Sequence, residues 1–239
     1  MRPRIRKPAR MRRAQYKRLP QSAYVPLRIT AWLQCGVISD AALPLDGLIY
    51  ALLHRRQFGE QTATAPGEAI ENGNSGVTMP LARVNEHGPD WYYAASWAQW
   101  NGAVAEGHDH WNKRLDLGLS DLIDFGPRKA RFEFASGRYK SYHMPVFYRH
   151  ALSVDWYVRG LKEELESVLR FATHLGKKTS QGFGAVLRWQ VEKIGDDWSV
   201  RNSEGKLMRA LPSRLPGVLI GYRPSYWLPK NQALCEVPR

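Results

Sequence analysis

A short segment between two predicted elements carries the residue types that bind phosphate. Residues 176–184 contain three glycines, the adjacent lysines Lys177 and Lys178, the hydroxyl residues Thr179 and Ser180, and Gln181. Glycines allow a tightly folded backbone, and hydroxyl and ammonium groups donate to phosphate oxygens. The pattern differs from a Walker A loop because GxxxxGK[ST] is absent and the predicted helix precedes the loop. The residues predict a phosphodiester contact, with a solvated glycine-rich connection as the alternative.

A second candidate strip mixes cations with aromatic rings. It consists of Arg138, Tyr139, Lys140, Tyr142 and His143. Arginine and lysine pair with phosphates, whereas tyrosine and histidine rings stack on unpaired bases, which is how single-stranded RNA is bound. The strip therefore predicts a nucleic-acid contact, and an ordinary basic strand edge is the other interpretation.

Positive charge is concentrated at the start of the chain. The 239 residues carry 35 basic and 22 acidic side chains, a net charge of +13. Nine basic residues and no acid fall within residues 1–20, so the remainder carries only +4. These nine are Arg2, Arg4, Arg6, Lys7, Arg10, Arg12, Arg13, Lys17 and Arg18. A block of like charge repels itself until a polyanion neutralises it, so we expect residues 1–22 to be a flexible arm that binds a nucleic-acid backbone. A solvated extension is the alternative.

Composition excludes several other classes of protein. Hydrophobic residues make up 44% and charged residues 24% of the chain, as in ordinary globular proteins. Cys35 and Cys235 lie far apart and outside any CxxC pair, which predicts reduced thiols in a cytoplasmic protein. His108 and His110 lack a third ligand at a recognisable spacing, so we expect no metal and no cofactor. No apolar run approaches the length of a membrane span, so no membrane partner is expected.

Hydrophobic periodicity predicts an α+β fold with a mostly antiparallel sheet. Alternation at residues 27–35 predicts a strand, and helical spacing predicts one helix from Leu45 to Arg56 and another from Leu161 to Leu175, with Gly176 as its C′ residue. Residues 23–239 are expected to form a single domain with an inserted irregular segment at about 59–128. Further strands are predicted at 91–100, 130–135, 144–148 and 152–158, and a hairpin joins 185–194 to 198–201.

Several segments together resemble one family of CRISPR proteins. The stretch HLGKKTSQGFGAVLRWQV, residues 174–191, resembles the glycine-rich loop of the RAMP superfamily. SGRYKSYHMPV (136–146), LPLDGLIYALL (43–53), MRALP (208–212) and RPSYW (223–227) are similar to the single-copy subunit of type IV effector complexes.

This resemblance implies a ferredoxin-like, RRM-like RAMP domain that caps the 5′ handle of crRNA without catalysis. It also implies packing against the backbone and large subunits of the complex and a role in positioning target DNA near the PAM. By this analogy residues 177–181 line the RNA, and the strip at 138–143 forms a second contact.

Two other functions remain open from the residues. Some relatives of this subunit cleave crRNA precursors, and His54, His143, Tyr139 and Lys140 supply the acid, base and cation that metal-independent RNA cleavage requires. His54 is alternatively a helix-terminal residue that interacts with the helix dipole. A general structural RNA-binding protein would share the basic arm and the basic loop.

Deletion of residues 1–20 should weaken the salt dependence of nucleic-acid binding. Each arm residue that contacts a phosphate of single-stranded RNA contributes roughly 0.7 to the slope of log K against log salt. We therefore expect a shallower slope for the truncated protein in a fluorescence titration over a range of salt concentrations. An unchanged slope would show that the arm does not contact the nucleic acid.

Overall fold

The computed structural model describes residues 20–58, 77–102, 104–114, 116, 118, 140–213 and 217–238. Its strands are β1 (Val25–Leu33), β2 (Arg83–Val84), β3 (Tyr92–Tyr93), β4 (Gln99–Asn101), β5 (Ala105–Lys113), β6 (Tyr142–His150), β7 (Ser153–Gly160), β8 (Val186–Lys193), β9 (Leu211–Pro212), β10 (Val218–Gly221) and β11 (Gln232–Glu236). Its α-helices are α1 (Leu45–Phe58) and α2 (Lys162–Leu169). Within these ranges no helix is both long and apolar enough to cross a membrane.

The main sheet is antiparallel and has the order β4-β7-β1-β8. Ile29 in β1 lies opposite Trp156 of β7 on one side and Val191 of β8 on the other. Along the chain, α1 lies between β1 and β4, and α2 lies between β7 and β8. The predicted α+β class with an antiparallel sheet is confirmed.

Both helices pack on one face of this sheet. Leu27, Ile29 and Ala31 of β1 are fully buried in a core shared with Ile49 of α1 and Leu165 of α2. The alternating side chains of β1, such as Arg28 and Trp32, lie on the other face and are partly exposed. Burying a leucine or isoleucine contributes about 1.5–3 kcal/mol, so this alternation fixes the register of β1.

Helix α2 is shorter than its apolar periodicity predicts. It ends at Leu169, and the amides of Phe171 and Ala172 donate to acceptors three residues back as the helix tightens and stops. The chain then runs beside the start of β8, where His174 bridges to Ala185. Leu175 lies in this extended segment and its side chain is buried in the core. The apolar pattern of the helix therefore continues beyond the point where the helix ends. The predicted C′ role of Gly176 is therefore wrong.

The predicted hairpin between 185–194 and 198–201 is also wrong. Strand β8 pairs with β1, while Arg201 bridges to Leu207. Asp197 does form a turn, because its Oδ1 accepts from the Ser199 amide at 3.0 Å. Trp198 lies instead on the open face of the main sheet, the face opposite the two helices. There the centre of its ring lies 5.0 Å from that of Tyr157.

Strand β5 lies where an irregular segment was expected, and it forms a two-stranded ribbon with β6, which contains the predicted strand at 144–148. Ala105–Lys113 pairs with all nine residues of Tyr142–His150, so the prediction of an irregular segment at about 59–128 is wrong for this part. The burial pattern of β5 is almost entirely exposed, so the strand has no apolar face to produce a period-2 signal. The predicted strand at 130–135 lies outside the described residues, as do residues 1–19 of the predicted arm at 1–22.

The predicted strand at 91–100 is divided in two. β3 and β4 are separated by Ser96, whose amide donates to the Tyr157 carbonyl while its Oγ accepts from the Tyr157 amide. Farther along the chain, a second sheet that the sequence did not predict has the order β10-β11-β9. It packs through a separate small core that includes Ala210, Tyr222 and Cys235.

A buried ion pair joins the second sheet to the first helix. The Oδ2 of Asp46 lies 3.7 Å from Nη1 of Arg209, and both side chains are almost fully buried. The hydroxyl of Tyr226 donates to Asp46 Oδ1 at 2.5 Å, and the Gly47 amide donates to the same oxygen at 3.0 Å. Burial raises the pKa of the Asp46 carboxyl, and Arg209, Tyr226 and Gly47 oppose that shift.

Arg209 also satisfies backbone acceptors from several segments. Its Nη1 donates to the carbonyls of Tyr93 and Ala95, and its Nη2 donates to that of Tyr222. Its guanidinium lies 4.7 Å from the centre of the Tyr92 ring. One side chain therefore connects β3, the following turn and the C-terminal sheet to the start of α1.

Replacing Arg209 should destabilise the whole protein. We expect Arg209→Met to lower the free energy of unfolding by about 3–5 kcal/mol, because it leaves Asp46 buried without its cation and several carbonyls without a donor. Urea unfolding followed by tryptophan fluorescence measures this loss.

Arg28→Met is the matched control. Arg28 pairs with Glu192 at 2.5 Å on a partly exposed surface, where removing an ion pair has a much smaller effect. Equal losses in the two variants would contradict a central role for the buried pair.

Candidate nucleic-acid interface

The glycine-rich loop, residues 176–184, is anchored to the connection that follows β1. The Lys177 amide donates to the Ile38 carbonyl at 2.7 Å, and the Gly184 amide donates to the Gly36 carbonyl at 2.8 Å. The Leu175 amide closes the base of the loop on the Gly184 carbonyl at 2.8 Å. The two ends are therefore fixed while residues 178–183 extend beyond the main sheet.

Cys35 adds a further contact at this base. Its Sγ donates to the Gly182 carbonyl at 2.9 Å and accepts from the Ala185 amide at 3.2 Å. The thiol thus links the second half of the loop to the connection that follows β1.

Gly182 and Gly184 differ in the space that surrounds the position of a Cβ atom. Gly184 has a φ of +74°, and a Cβ at this position would overlap the Leu175 carbonyl oxygen. Gly182 also has a positive φ, +90°, but no atom lies within 4 Å of the position that a Cβ would take. Gly184 is therefore required for both conformation and space, and Gly182 for conformation alone.

The tip of the loop presents backbone amides. Lys178 is left-handed, with φ 58° and ψ 32°, and a single 3-10 turn, Thr179–Gln181, follows it. Within the described part of the chain, the amides of Lys178, Thr179 and Ser180 donate to no protein acceptor. A left-handed residue followed by right-handed ones directs successive amides into one concavity, which is a geometry that binds anions.

One face of the β5–β6 ribbon lies against this loop. We call it the inner ribbon face, and it carries Asp109, Trp111, Lys113, Tyr142, Tyr148 and His150. The Lys178 Nζ lies 3.6 Å from the centre of the Trp111 ring, and the ring of Phe183 lies 5.5 Å from that of Tyr148. Trp111 and Tyr142 stack at 5.6 Å with 14° between their planes. Loop and ribbon therefore line one groove.

Additional cations lie along the same face. The ammonium groups of Lys113 and Lys140 lie 5.6 Å and 5.7 Å from the centre of the Tyr142 ring. Basic groups thus alternate with exposed aromatic rings, as in surfaces that bind single strands.

The predicted strip at 138–143 divides between faces. Lys140 and Tyr142 join the inner ribbon face, whereas the pairing of His143 with Asn112 places it on the opposite face. Arg138 and Tyr139 lie outside the described residues. In the loop, Lys177, Thr179, Ser180 and Gln181 are exposed and Lys178 is partly covered.

The outer ribbon face carries three histidines, His108, His110 and His143. The rings of His143 and His110 stack at 4.4 Å with 4° between planes, and His108 meets His110 edge-on at 5.7 Å. The Nδ1 of His143 lies 2.5 Å from Asn112 Oδ1. Among the residues that the structure describes, no group of three or more His, Cys, Asp and Glu side chains is arranged to hold a metal ion.

Apart from Lys140 and Tyr142, the inner ribbon face was not predicted from the sequence. Trp111 and Tyr148 belong to it, yet neither lies in a segment that the sequence analysis singles out as a contact. Their grouping follows from the pairing of β5 with β6.

Comparison with known proteins places this chain in a family. Residues 25–238 match the family model described as CRISPR type IV associated protein Csf3. The chain belongs to the Csf3 family. This match confirms the resemblance to type IV CRISPR proteins.

The other comparisons are more distant. No curated protein matches the chain. One similar solved structure is titled "Cryo-EM structure of the Type III-B Cmr-beta bound to cognate target RNA". The similarity covers 72% of this chain and 62% of that one, with 11% identity and a TM-score of 0.35.

Three of the segments that resemble type IV proteins meet in the core of this Csf3-family chain. LPLDGLIYALL supplies Asp46, MRALP supplies Arg209 and RPSYW supplies Tyr226, which together form the buried ion cluster. The glycine-rich segment forms the loop at the groove instead. The resemblance thus has a structural part and a surface part.

Alanine substitutions at Gly182 and Gly184 separate the cost of a left-handed backbone from the cost of a steric clash. Gly182→Ala should lower the free energy of unfolding by about 1–2 kcal/mol, the cost of a left-handed alanine. Gly184→Ala should cost about 1–3 kcal/mol more, because its Cβ also displaces the Leu175 carbonyl. Urea unfolding of both variants measures the difference, and equal losses would show that the loop base is not closed as described.

Proposed function

We propose that this protein is the non-catalytic crRNA-binding subunit of a type IV CRISPR ribonucleoprotein, which caps the 5′ handle of the guide. The observation that carries the proposal is the meeting of the glycine-rich loop with the inner ribbon face, where Lys178 lies 3.6 Å from Trp111. Phosphate-binding and base-stacking groups line the same groove, and single-stranded RNA requires both.

The loop supplies the phosphate contacts. The amides of Thr179 and Ser180 lie at its tip, and the ammonium of Lys178 lies over the Trp111 ring, 3.6 Å from its centre. Lys177 lies 3.9 Å from Asp40, but these side chains are 70% and 88% exposed. So weak a surface pair leaves Lys177 able to exchange Asp40 for a phosphate.

The ribbon supplies the stacking surfaces. Trp111, Tyr142 and Tyr148 are partly exposed along the inner ribbon face. Stacking of a base on an aromatic ring contributes about 1–3 kcal/mol per base and tolerates any sequence. A few stacked nucleotides therefore suffice to hold a short handle.

The sheet supports assignment to the ferredoxin-like RAMP fold. The elements β1, α1, β4, β7, α2 and β8 follow one another as β-α-β-β-α-β, with the ribbon inserted between β4 and β7. The order β4-β7-β1-β8 places the first and third strands of this series at the centre. That connectivity is typical of ferredoxin-like domains.

The position of His54 supports a role without catalysis. Its side chain is 7% exposed within α1, where its ring lies 6.0 Å from that of Tyr50. A general base for RNA cleavage must reach the 2′-hydroxyl, and burial prevents that approach. Cleavage of crRNA precursors by this protein and general structural RNA binding are outcomes that the experiment below distinguishes.

The remaining parts of the proposal concern partners. The C-terminal sheet exposes Val218, Leu219 and Leu234, which supports packing against the backbone or large subunit. The basic residues of the arm are suited to target DNA near the PAM, in a cytoplasmic complex in which pairing reads the sequence and protein reads shape.

The experiment is copurification from cells that express the operon. RNA bound to the wild type should carry a uniform 5′ handle when both ends are sequenced. In Lys177→Ala/Lys178→Ala the yield of bound crRNA should fall at least about tenfold, because two charge-assisted contacts are lost. His54→Ala should leave both handle and yield unchanged.

Lys193→Ala/Lys206→Ala is the control. It removes the same charge from the far end of β8 and from a separate turn, and it should retain wild-type RNA. Bulk ribosomal RNA in the wild type would favour a general RNA-binding protein. Cleavage of the repeat by purified protein, lost in His54→Ala, would make the protein a ribonuclease.

A further inference from the structure

A cleft lies at the inner end of the groove, beside the glycine-rich loop. Its volume is about 230 Å³. It is lined by the connection that follows β1, the inner ribbon face and residues 181–183 of the loop. The lining residues with side-chain roles are Cys35, Asp109, Tyr148, His150, Gln181 and Phe183.

The aromatic wall of the cleft is held in place by glycines. A Cβ at Gly36 would lie 2.7 Å from the Tyr148 ring, and one at Gly107 would lie 2.5 Å from it. The ring therefore packs directly on two stretches of backbone. His150 meets it edge-on at 5.0 Å, and Phe183 lies 5.5 Å away at 39°. Such a wall is suited to a planar apolar ring.

Asp109 places a carboxylate in this otherwise basic groove. Its Oδ1 accepts from the His110 amide at 2.7 Å, and in the described part of the chain its Oδ2 has no partner. A carboxylate here repels phosphates and so weakens general RNA binding. It becomes favourable only when the ligand presents a hydrogen-bond donor to it.

Gln181 connects this cleft to the phosphate contacts. Its main-chain amide donates to the Lys178 carbonyl at 2.9 Å within the turn at the loop tip. Its side chain is exposed at the rim of the cleft. A carboxamide donates and accepts, so it adjusts to the remaining edge of a base. A nucleotide whose phosphate lies on the loop tip would place its base toward the cleft.

We propose that this cleft reads one unstacked base of the bound RNA through Asp109 and prefers guanine. The inference rests on the proposed function, since it assumes RNA in the groove. The Watson–Crick edge of guanine presents two adjacent donors, N1–H and N2–H₂, which match the two oxygens of a carboxylate. Uracil presents one donor between two carbonyls, so Asp109 disfavours it.

The test uses short oligouridines that carry one central guanosine, adenosine or cytidine, with unsubstituted oligouridine as the reference. Full-length protein is titrated with each oligomer, and binding is followed by fluorescence anisotropy. We expect the wild type to bind the guanosine oligomer about tenfold more tightly than oligouridine, the discrimination of a bidentate contact. Asp109→Asn should abolish that ratio and retain binding of oligouridine.

Glu106→Gln is the matched control. Glu106 lies on the same strand but on the outer ribbon face, paired with Arg149 at 2.9 Å, and its replacement makes the same change in charge. It should preserve the guanosine preference. Phe183→Leu provides a second variant, which should weaken all four oligomers because it removes a stacking wall.

Each contrary result has a distinct meaning. Equal binding of all four oligomers by the wild type would overturn the base-reading cleft and leave the proposed function standing. A guanosine preference that persists in Asp109→Asn would overturn the role of Asp109 in base recognition. Tighter binding of every oligomer by this variant would also overturn it, because Asp109 would then act only by repelling phosphates. Failure of the wild type to bind any oligomer would overturn the proposed function together with the cleft.

Discussion

The buried pair of Asp46 and Arg209 is the constraint that unites the described parts of this protein. A carboxylate and a guanidinium removed from water need each other and further hydrogen bonds to offset the loss of hydration. Here Tyr226 and the Gly47 amide donate to Asp46 Oδ1, Asp46 Oδ2 faces Arg209 at 3.7 Å, and backbone carbonyls accept from the guanidinium. Segments separated by more than a hundred residues must therefore arrive together, which fixes the C-terminal sheet against the helix-covered sheet.

The same constraint extends to the groove through the connection between β1 and α1. Asp46 lies in the first turn of α1, directly after that connection. Indole nitrogens hold it in place, since Trp100 donates to Ala41 and Trp156 donates to Leu43. Earlier in the connection, Gly36 and Ile38 accept the hydrogen bonds that anchor the glycine-rich loop. A loop of small polar residues with no core of its own thus gains a base that is fixed at both ends by backbone hydrogen bonds.

Sequence reasoning succeeded where burial is one-sided and failed where it is not. The alternation of Leu27, Ile29 and Ala31 predicts β1 because one face of the sheet is covered. Strand β5 is exposed along almost its whole length, so its sequence lacks an apolar period and its pairing with β6 appears only in the structure. Helix α2 was predicted too long because Leu175 keeps the apolar period while reaching the core from an extended chain. Arg209 was not predicted as a core residue, since arginines are mostly exposed and its partners are distant in sequence. In the groove, glycines and lysines reveal the loop, whereas Trp111 and Tyr148 are placed there by strand pairing alone.

The central claim is that RNA lies between the glycine-rich loop and the inner ribbon face. Ultraviolet cross-linking of the purified ribonucleoprotein, followed by mass spectrometry of nucleotide-bearing peptides, tests it most directly because aromatic side chains react where bases stack. Cross-links at Trp111, Tyr142 or Phe183 are the result that this account predicts. Cross-links confined to Trp32 and Tyr157, on the open face of the main sheet, would place the RNA elsewhere and contradict it.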